Sequence, residues 1–247
     1  MDEQTVIREL LASLKKKQVA VAEMARKGKI TYAEAGKRAA EMGKATGEVV
    51  FTHLSKLYPE GSVGRDEALR VIEPALKSAH EYSVSLAEAA QEEVNKEAGV
   101  GLKPLVPEYN KNSAIELAEL LAEKENFLEH ENPFVLQAER DVRQVIDGAV
   151  RLNAEAQDRA GLEAYVTRIY DDVGLHDGKD PCQWCLDRAG QWTVSEALEA
   201  GVFARHPGCE CTIVYTPKKG TTTVRVGGSG WQDVDVAKIE ARKRYGR

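Results

Sequence analysis

Residues 180–216 decide the fold, and they read DPCQWCLDRAGQWTVSEALEAGVFARHPGCECTIVYT. This stretch holds all four cysteines of the 247-residue chain, arranged as CxxC and, further on, HxxCxC. A CxxC turn places two thiolates so that they share one ion, and a second pair from a later turn completes a tetrahedron. The spacing therefore predicts one structural metal site, with zinc as the ion. Five residues are candidate ligands, and four of them are expected to bind the ion. The candidates are Cys182, Cys185, His206, Cys209 and Cys211.

Other uses of four cysteines stay open at this point. Two disulfides are typical of small secreted domains, but the acidic start of the chain is followed by no apolar segment, so we expect no signal peptide. A redox CxxC needs a strand-to-helix context and leaves the second pair without a role. Reduced, unliganded thiols are the third alternative. His206 either replaces one cysteine as a ligand or packs on the turn that Pro207 and Gly208 make.

The same residues resemble the C-terminal signature of the phage Mu F-like minor head proteins, also called phage head morphogenesis proteins. The resemblance covers about residues 160–216, with Glu210 where the family tends to have arginine and Gly208 where asparagine is common. It implies a helical segment just upstream, at residues 162–172. The matching positions are Cys182, Cys185, Gly190, His206, Pro207, Cys209 and Cys211.

Composition and charge narrow the class of protein. Hydrophobic residues make up 43% and aromatic residues only 6%, which indicates helices with narrow apolar stripes. No apolar run approaches the ~18 residues that a membrane span needs. Residues 61–216 hold 15 Lys and Arg against 29 Asp and Glu, which argues against nucleic acid wrapping there. Residues 217–247 hold 8 against 3, so this tail either contacts DNA or an acidic protein or is simply solvated.

Motifs for catalysis are missing from the sequence. It contains no GxSxG, no P-loop and no HExxH. A catalytic zinc keeps one coordination position open, whereas four or five protein ligands leave none. We therefore expect that the protein is not an enzyme. His176 is the one histidine close to the cysteines that could serve as the general base of a His-type nuclease.

Apolar periodicity and capping residues predict a series of helices before the cysteines. The first spans residues 4–27; the second starts at a Thr31–Glu34 capping box and reaches about Tyr58. A third runs from Arg65 to Ala98, with a kink or a fresh start at Pro74. Further helices begin at a Ser113–Glu116 capping box, running to about residue 125, and at Asn132-Pro133. We expect the last one to bend near Gly161 and to end near Gly174.

Within the cysteine region we expect extended residues 191–193, a short helix at 195–200 and a β-hairpin of residues 211–216 and 221–226. Trp184 and Trp192 are expected to pack beside the ion. The fold class is therefore mainly α, with long N-terminal helices followed by a small zinc-stabilised α+β module. The predicted domains are a helical hairpin region (1–98), a linker (99–112), a long-helix region (113–176), the cysteine module (177–226) and a basic tail (227–247).

The resemblance implies a structural minor capsid protein that acts in head assembly and in DNA packaging or delivery. Its expected partners are the portal protein and the major capsid or scaffolding protein, with a possible DNA contact through the tail. Its expected location is the virion head, and the host cytoplasm during assembly. The alternative function is a zinc-dependent nucleic-acid-binding protein or a His-type nuclease.

Overall fold

The computed structural model describes residues 30–161, 164–170 and 182–217, together with part of the segment 4–19. The described residues of that first segment are helical, as predicted, and the rest of the predicted first helix lies outside the described residues. The predicted strand 221–226, His176 and the tail 227–247 lie outside them as well.

The described chain is mainly α-helical and carries one small antiparallel sheet, which confirms the predicted fold class. The helices are α1 (Tyr32–Leu57), α2 (Arg65–Ala98), α3 (Lys111–Ala122), a 3-10 helix (Phe127–His130), α4 (Glu131–Arg159), α5 (Gln183–Leu186) and α6 (Val194–Glu199). The strands are β1 (Ala164–Ile169), β2 (Gly190–Thr193) and β3 (Thr212–Pro217), and their order in the sheet is β2-β1-β3. The predicted extended residues 191–193 and the short helix that follows them are confirmed.

The helix starts depend on capping side chains. The Thr31 hydroxyl accepts the Glu34 N–H at 3.2 Å and begins α1, as predicted, while the Glu34 carboxylate pairs with Arg38 one turn later. The Asn110 side chain accepts the Asn112 N–H at 3.0 Å, so α3 starts at Lys111 and not at the predicted Ser113. Satisfying these otherwise unpaired donors stabilises the first turn.

Two further predicted boundaries need correction, the end of α3 and the start of α4, whereas α2 has the predicted bounds. Of the two alternatives predicted at Pro74, a kink or a fresh start, the fresh start is wrong, because α2 continues through Pro74. α3 ends at Ala122 and not near residue 125. α4 begins at Glu131, directly after the 3-10 helix, so Pro133 lies inside its first turn and not at the first helical position.

The largest correction concerns the segment after α4. We predicted that this helix continues to about Gly174, but it ends at Arg159, and Gly161 adopts a φ of 74° that favours glycine. The chain then forms β1, the central strand, in which Tyr165 lies opposite Thr193 of β2 and Thr216 of β3. The sequence AYVTRI is rich in β-branched and aromatic residues, which suit a pleated strand. Helical spacing over so short an apolar run did not distinguish the two structures.

One buried hydrophobic cluster contains residues of the four long helices and of the sheet. Its largest fully buried members include Tyr32, Leu54, Ile72, Leu117 and Phe134. The predicted domain boundary within residues 99–112 stays a prediction, but this segment is fixed by hydrogen bonds to its neighbours. The Asn153 side chain binds both the N–H and the carbonyl of Leu105, at 2.9 and 2.6 Å, and the Asn95 amide donates to the Leu102 carbonyl.

A buried polar network attaches the sheet to the helices. The Tyr215 hydroxyl of β3 donates to Gln91 of α2 at 2.8 Å and accepts from Gln157 of α4 at 3.2 Å. Tyr32 of α1 donates to the same Gln91 oxygen at 2.6 Å. Buried polar groups that satisfy one another in this way favour one arrangement of the elements. The network therefore sets the orientation of the sheet, and with it the cysteine region, against the helices.

The close packing of α1 on α4 gives a first prediction. A Cβ at Gly43 would lie 2.7 Å from the Glu139 Cα, whereas a Cβ at Gly36 would meet nothing closer than 4.0 Å. Gly36→Ala should stabilise the fold by up to ~1 kcal/mol through helix propensity. Gly43→Ala should destabilise it by about 1–3 kcal/mol, because the two backbones must separate. Urea unfolding of both variants measures the difference, and equal effects would contradict this packing.

Candidate metal centre

All five predicted ligands lie together in the C-terminal part of the described chain. Cys182 is the N-cap of α5 and Cys185 lies within that helix. His206, Cys209 and Cys211 belong to the turn that leads into β3. Cys185, Cys209 and Cys211 are buried, and none of the four cysteines forms a disulfide.

The donor atoms form two overlapping groups that share Cys185. One group is Cys182, Cys185 and His206, the other is Cys185, Cys209 and Cys211, and within each group the donor atoms lie within 4.8 Å of one another. The Cys185 and Cys209 sulfurs are 3.7 Å apart. Two sulfurs bound tetrahedrally to one zinc ion are separated by roughly 3.8 Å, given Zn–S bonds of ~2.3 Å. The cluster could therefore bind a metal ion.

The His206 ring is oriented for coordination. Its Nδ1 lies 2.8 Å from the Pro207 carbonyl, and because a carbonyl only accepts, Nδ1 carries the proton. Its Nε2 faces the sulfurs, 3.3 Å from Cys182 Sγ and 3.1 Å from Cys185 Sγ. A hydrogen bond that fixes the tautomer in this way is typical of metal-binding histidines. The Trp184 and His206 rings contact each other edge to face, with 5.4 Å between their centroids.

Two tight turns hold the ligands in place. In the CxxC turn, the N–H groups of Cys185 and Leu186 both donate to the Cys182 carbonyl at 3.0 Å. In the second turn, the Cys209 N–H donates to the His206 carbonyl at 3.2 Å, and Gly208 adopts a left-handed φ of 74°. Glycine and asparagine both tolerate this conformation, whereas other residues at this position would strain the turn.

Arg168 on the central strand β1 reaches into the cluster. Its Nη2 lies 3.3 Å from Cys209 Sγ and 3.9 Å from Cys185 Sγ, and its side chain is buried. Its Nη1 donates to the carbonyls of Val202 and Ala204, both at 2.6 Å. Within the described residues no carboxylate pairs with this guanidinium. A buried cation is costly unless it is paired, and among the described residues the sulfurs are the groups that can balance its charge.

Helix α4 holds the second turn from the other side. Arg143 donates to the carbonyls of Cys209, Glu210 and Cys211 at 2.9–3.1 Å. Asp147, one turn further along the same face, forms an ion pair with Arg205, which in turn donates to the Cys211 carbonyl at 2.7 Å. Burial disfavours the Arg205 cation, but Asp147 outweighs it and raises the Arg205 pKa.

The thiols are electrostatically unequal. A hydrogen bond from Cys211, followed by the charges of Arg205 and Arg168, lowers the pKa of Cys209. The bond to Cys209 and then burial raise the pKa of Cys211. Burial, followed by the charge of Cys209, raises the pKa of Cys185 to about 11. Of Cys185, Cys209 and Cys211, Cys209 therefore loses its proton most readily, and a bound cation would favour the deprotonated form of its ligands.

The two tryptophans have different surroundings. Trp184 packs against the cysteine cluster, as predicted. The prediction for Trp192 is wrong: it packs on the main hydrophobic core, and its Nε1 donates to the Arg188 carbonyl at 3.2 Å. Trp192 lies on β2, whose neighbour β1 was not predicted as a strand, so its position could not follow from the cysteine spacing alone.

Sequence reasoning also missed the polar residues that surround the ligands. Nothing local marks Arg168 and Arg205 as neighbours of sulfur. Arg143 and Asp147 are spaced i, i+4, which is the spacing of an ordinary ion pair on an exposed helix face. Both side chains instead contact the cysteine region, across 66 and 58 residues of sequence.

Comparisons of the chain with family models, with curated proteins and with solved structures find no match. The resemblance to the phage Mu F-like minor head proteins therefore stays a prediction. No helix among the described residues is both long and apolar enough to cross a membrane.

Proposed function

We propose that the cysteine cluster is a structural zinc centre. The observation that carries the proposal is Arg168, a buried guanidinium that contacts two sulfurs and pairs with no carboxylate in the described part of the chain. Without an ion, the thiol beside that charge whose pKa is lowered is that of Cys209, whereas a bound zinc ion would bring further thiolates next to the guanidinium. A zinc ion together with three or four thiolates has a net negative charge, and this charge offsets the positive charge of Arg168.

The donor set also favours zinc over other ions. Thiolate and imidazole are the ligands that this borderline-soft cation prefers, whereas magnesium and calcium take oxygen ligands. The two donor groups share Cys185 and together offer five donors, so four of them could complete a tetrahedron without water. Such closure is typical of structural sites and not of catalytic ones.

A metal ion at this centre would stabilise the two cysteine turns. Its buried cysteines form a small hydrophobic cluster of their own, flanked by Tyr170, Cys182 and Trp184. A cluster of this size has too little apolar surface to hold two turns together, and a metal ion supplies the missing stabilisation. Through Arg168 and Arg143 the ion also connects the turns to β1 and α4.

For the whole protein we propose a structural role as a minor head protein of a tailed bacteriophage. The support is the sequence resemblance over residues 160–216. A rigid metal-bound knob on a body of long helices suits a protein that docks on a portal or on the inner capsid. The proposed location is the virion head, with the portal, capsid or scaffolding protein as partner.

Fractionation of virus particles tests this role. In a lysed culture of the source strain, the protein should band with DNA-filled particles in a density gradient and resist added protease. A free DNA-binding protein of the lysate is the control. Recovery of the chain only in the soluble fraction would count against a head protein. Magnesium-dependent cleavage of plasmid DNA by the purified chain would favour the nuclease alternative.

A further inference from the structure

A cleft of about 360 Å³ lies on the helical body, separate from the cysteine cluster. Its walls are helix α2, helix α4 and the segment that precedes α3, and Phe203 closes one side. Its apolar lining includes Leu76, Val142 and Val145. Pockets for small ligands begin at about 300 Å³ and combine such walls with a few polar groups. The cleft is therefore large enough for a small molecule.

Asp141 on α4 provides the charged group of this cleft. Its side chain is only 3% exposed. One carboxylate oxygen accepts two bonds from Arg140, at 2.7 and 2.9 Å, and the other oxygen has no hydrogen-bond partner among the described residues. Arg140 is also shared with Glu116 at 3.6 Å, so it neutralises Asp141 incompletely. A buried charge is screened weakly, which makes its attraction for a cation stronger than at the surface.

The other ionisable groups in the cleft also favour a positively charged ligand. The cation of Arg151 is already paired with Glu155 at 3.4 Å. Burial lowers the pKa of His80, which keeps that ring neutral at pH 7. The Tyr109 ring lies against His80 at 5.5 Å, and aromatic faces attract cations. The exposed Glu108 adds a second negative charge at the rim.

We propose that this cleft binds a small organic cation, an alkyl guanidinium or alkyl ammonium compound. The charged head lies beside Asp141 and Tyr109, and the alkyl stem lies along Leu76, Val142 and Val145. The residues that would contact this ligand, Leu76, Tyr109, Asp141, Val142 and Val145, belong to the helical body and not to the metal centre.

Titration of the full-length protein with three matched probes tests the site. n-Butylguanidinium should give saturable NMR shifts at cleft residues and bind at least tenfold more tightly than n-pentanol. Butyrate, with the opposite charge, should bind no better than the alcohol. Equal affinity for the guanidinium and the alcohol, or shifts spread over the whole surface, would overturn the proposal.

A variant identifies the group that recognises the charge. Asp141→Asn should weaken n-butylguanidinium binding at least tenfold, since it removes the buried charge. Glu88→Gln, an equal change of charge at an exposed position on α2, should leave the affinity unchanged. Equal affinities of the two variants would refute the role of Asp141. If Asp141→Asn fails to fold, the comparison of the three probes on the wild-type protein still decides the question.

Discussion

Replacing Cys185 with serine should release the metal ion and loosen the two cysteine turns, at residues 182–186 and 206–211. Cys185 belongs to both donor groups, so its loss leaves neither of them complete. Structural zinc contributes roughly 10–16 kcal/mol of apparent binding free energy in zinc-finger peptides, and this energy becomes folding energy. Most of it should be lost here, because a serine hydroxyl is a poor replacement for a thiolate ligand.

The damage from Cys185→Ser should be local. The main hydrophobic core is a separate cluster that does not contain the cysteines, so the helical circular dichroism should largely persist. Metal analysis should find about one equivalent of zinc per wild-type chain and almost none in the variant. Limited proteolysis should cut the variant within residues 182–211 first, as expected for a locally unfolded unit.

A matched control separates the loss of a ligand from general destabilisation. Val150→Thr places a hydroxyl at a fully buried position of α4, outside the cysteine cluster. It should lower the overall stability yet keep the zinc. A Cys185→Ser protein with the wild-type metal content would show that Cys185 is not a ligand. The two donor groups would then not share one metal ion through Cys185.

Removing the guanidinium of Arg168 should have the second largest effect. Arg168→Met removes the cation beside two sulfurs and leaves the carbonyls of Val202 and Ala204 without their donor. Taking one member from a buried ionic arrangement costs about 3–5 kcal/mol. Loss of a group that hydrogen-bonds to metal ligands typically weakens metal affinity 10–100-fold, and we expect a loss in this range.

Two further variants show which property of Arg168 matters. Arg168→Lys keeps the charge but not the fork that contacts carbonyls and sulfurs together, so it should recover only part of the affinity. Arg188→Met removes a guanidinium that stacks on Trp184 at 4.0 Å and does not contact sulfur, so the zinc affinity should stay near wild type. Competition with a chelator measures all three affinities. An Arg168→Met protein that loses stability but binds zinc as tightly as Arg188→Met would show a packing role only.

The sequence predicted the cluster well because its information is local. CxxC and HxxCxC each form one tight turn, and two such turns in one small module have few ways to meet. The start of α1 also followed from nearby residues, because the Thr31 hydroxyl accepts the Glu34 N–H. In these places the deciding contacts lie within a few positions of one another.

Apart from helix boundaries such as the start of α3, the failures concern contacts between distant residues. Residues 164–169 form a strand because β2 and β3 lie on either side of them, and those partners follow more than 20 residues later. Arg168 is buried because the sulfurs and two carbonyls surround it, and Asp147 is buried because Arg205 pairs with it. Tertiary contacts of this kind decide between a helix and a strand when local preference is weak.

X-ray absorption spectroscopy at the zinc edge tests the central claim most directly. For wild-type protein purified with its metal, we expect a first shell of three or four sulfurs at ~2.3 Å and at most one nitrogen at ~2.0–2.1 Å. Such a spectrum would place one ion among the four cysteines and His206. A first shell of oxygen and nitrogen without sulfur, or a protein that contains no metal and carries its cysteines as disulfides, would contradict it.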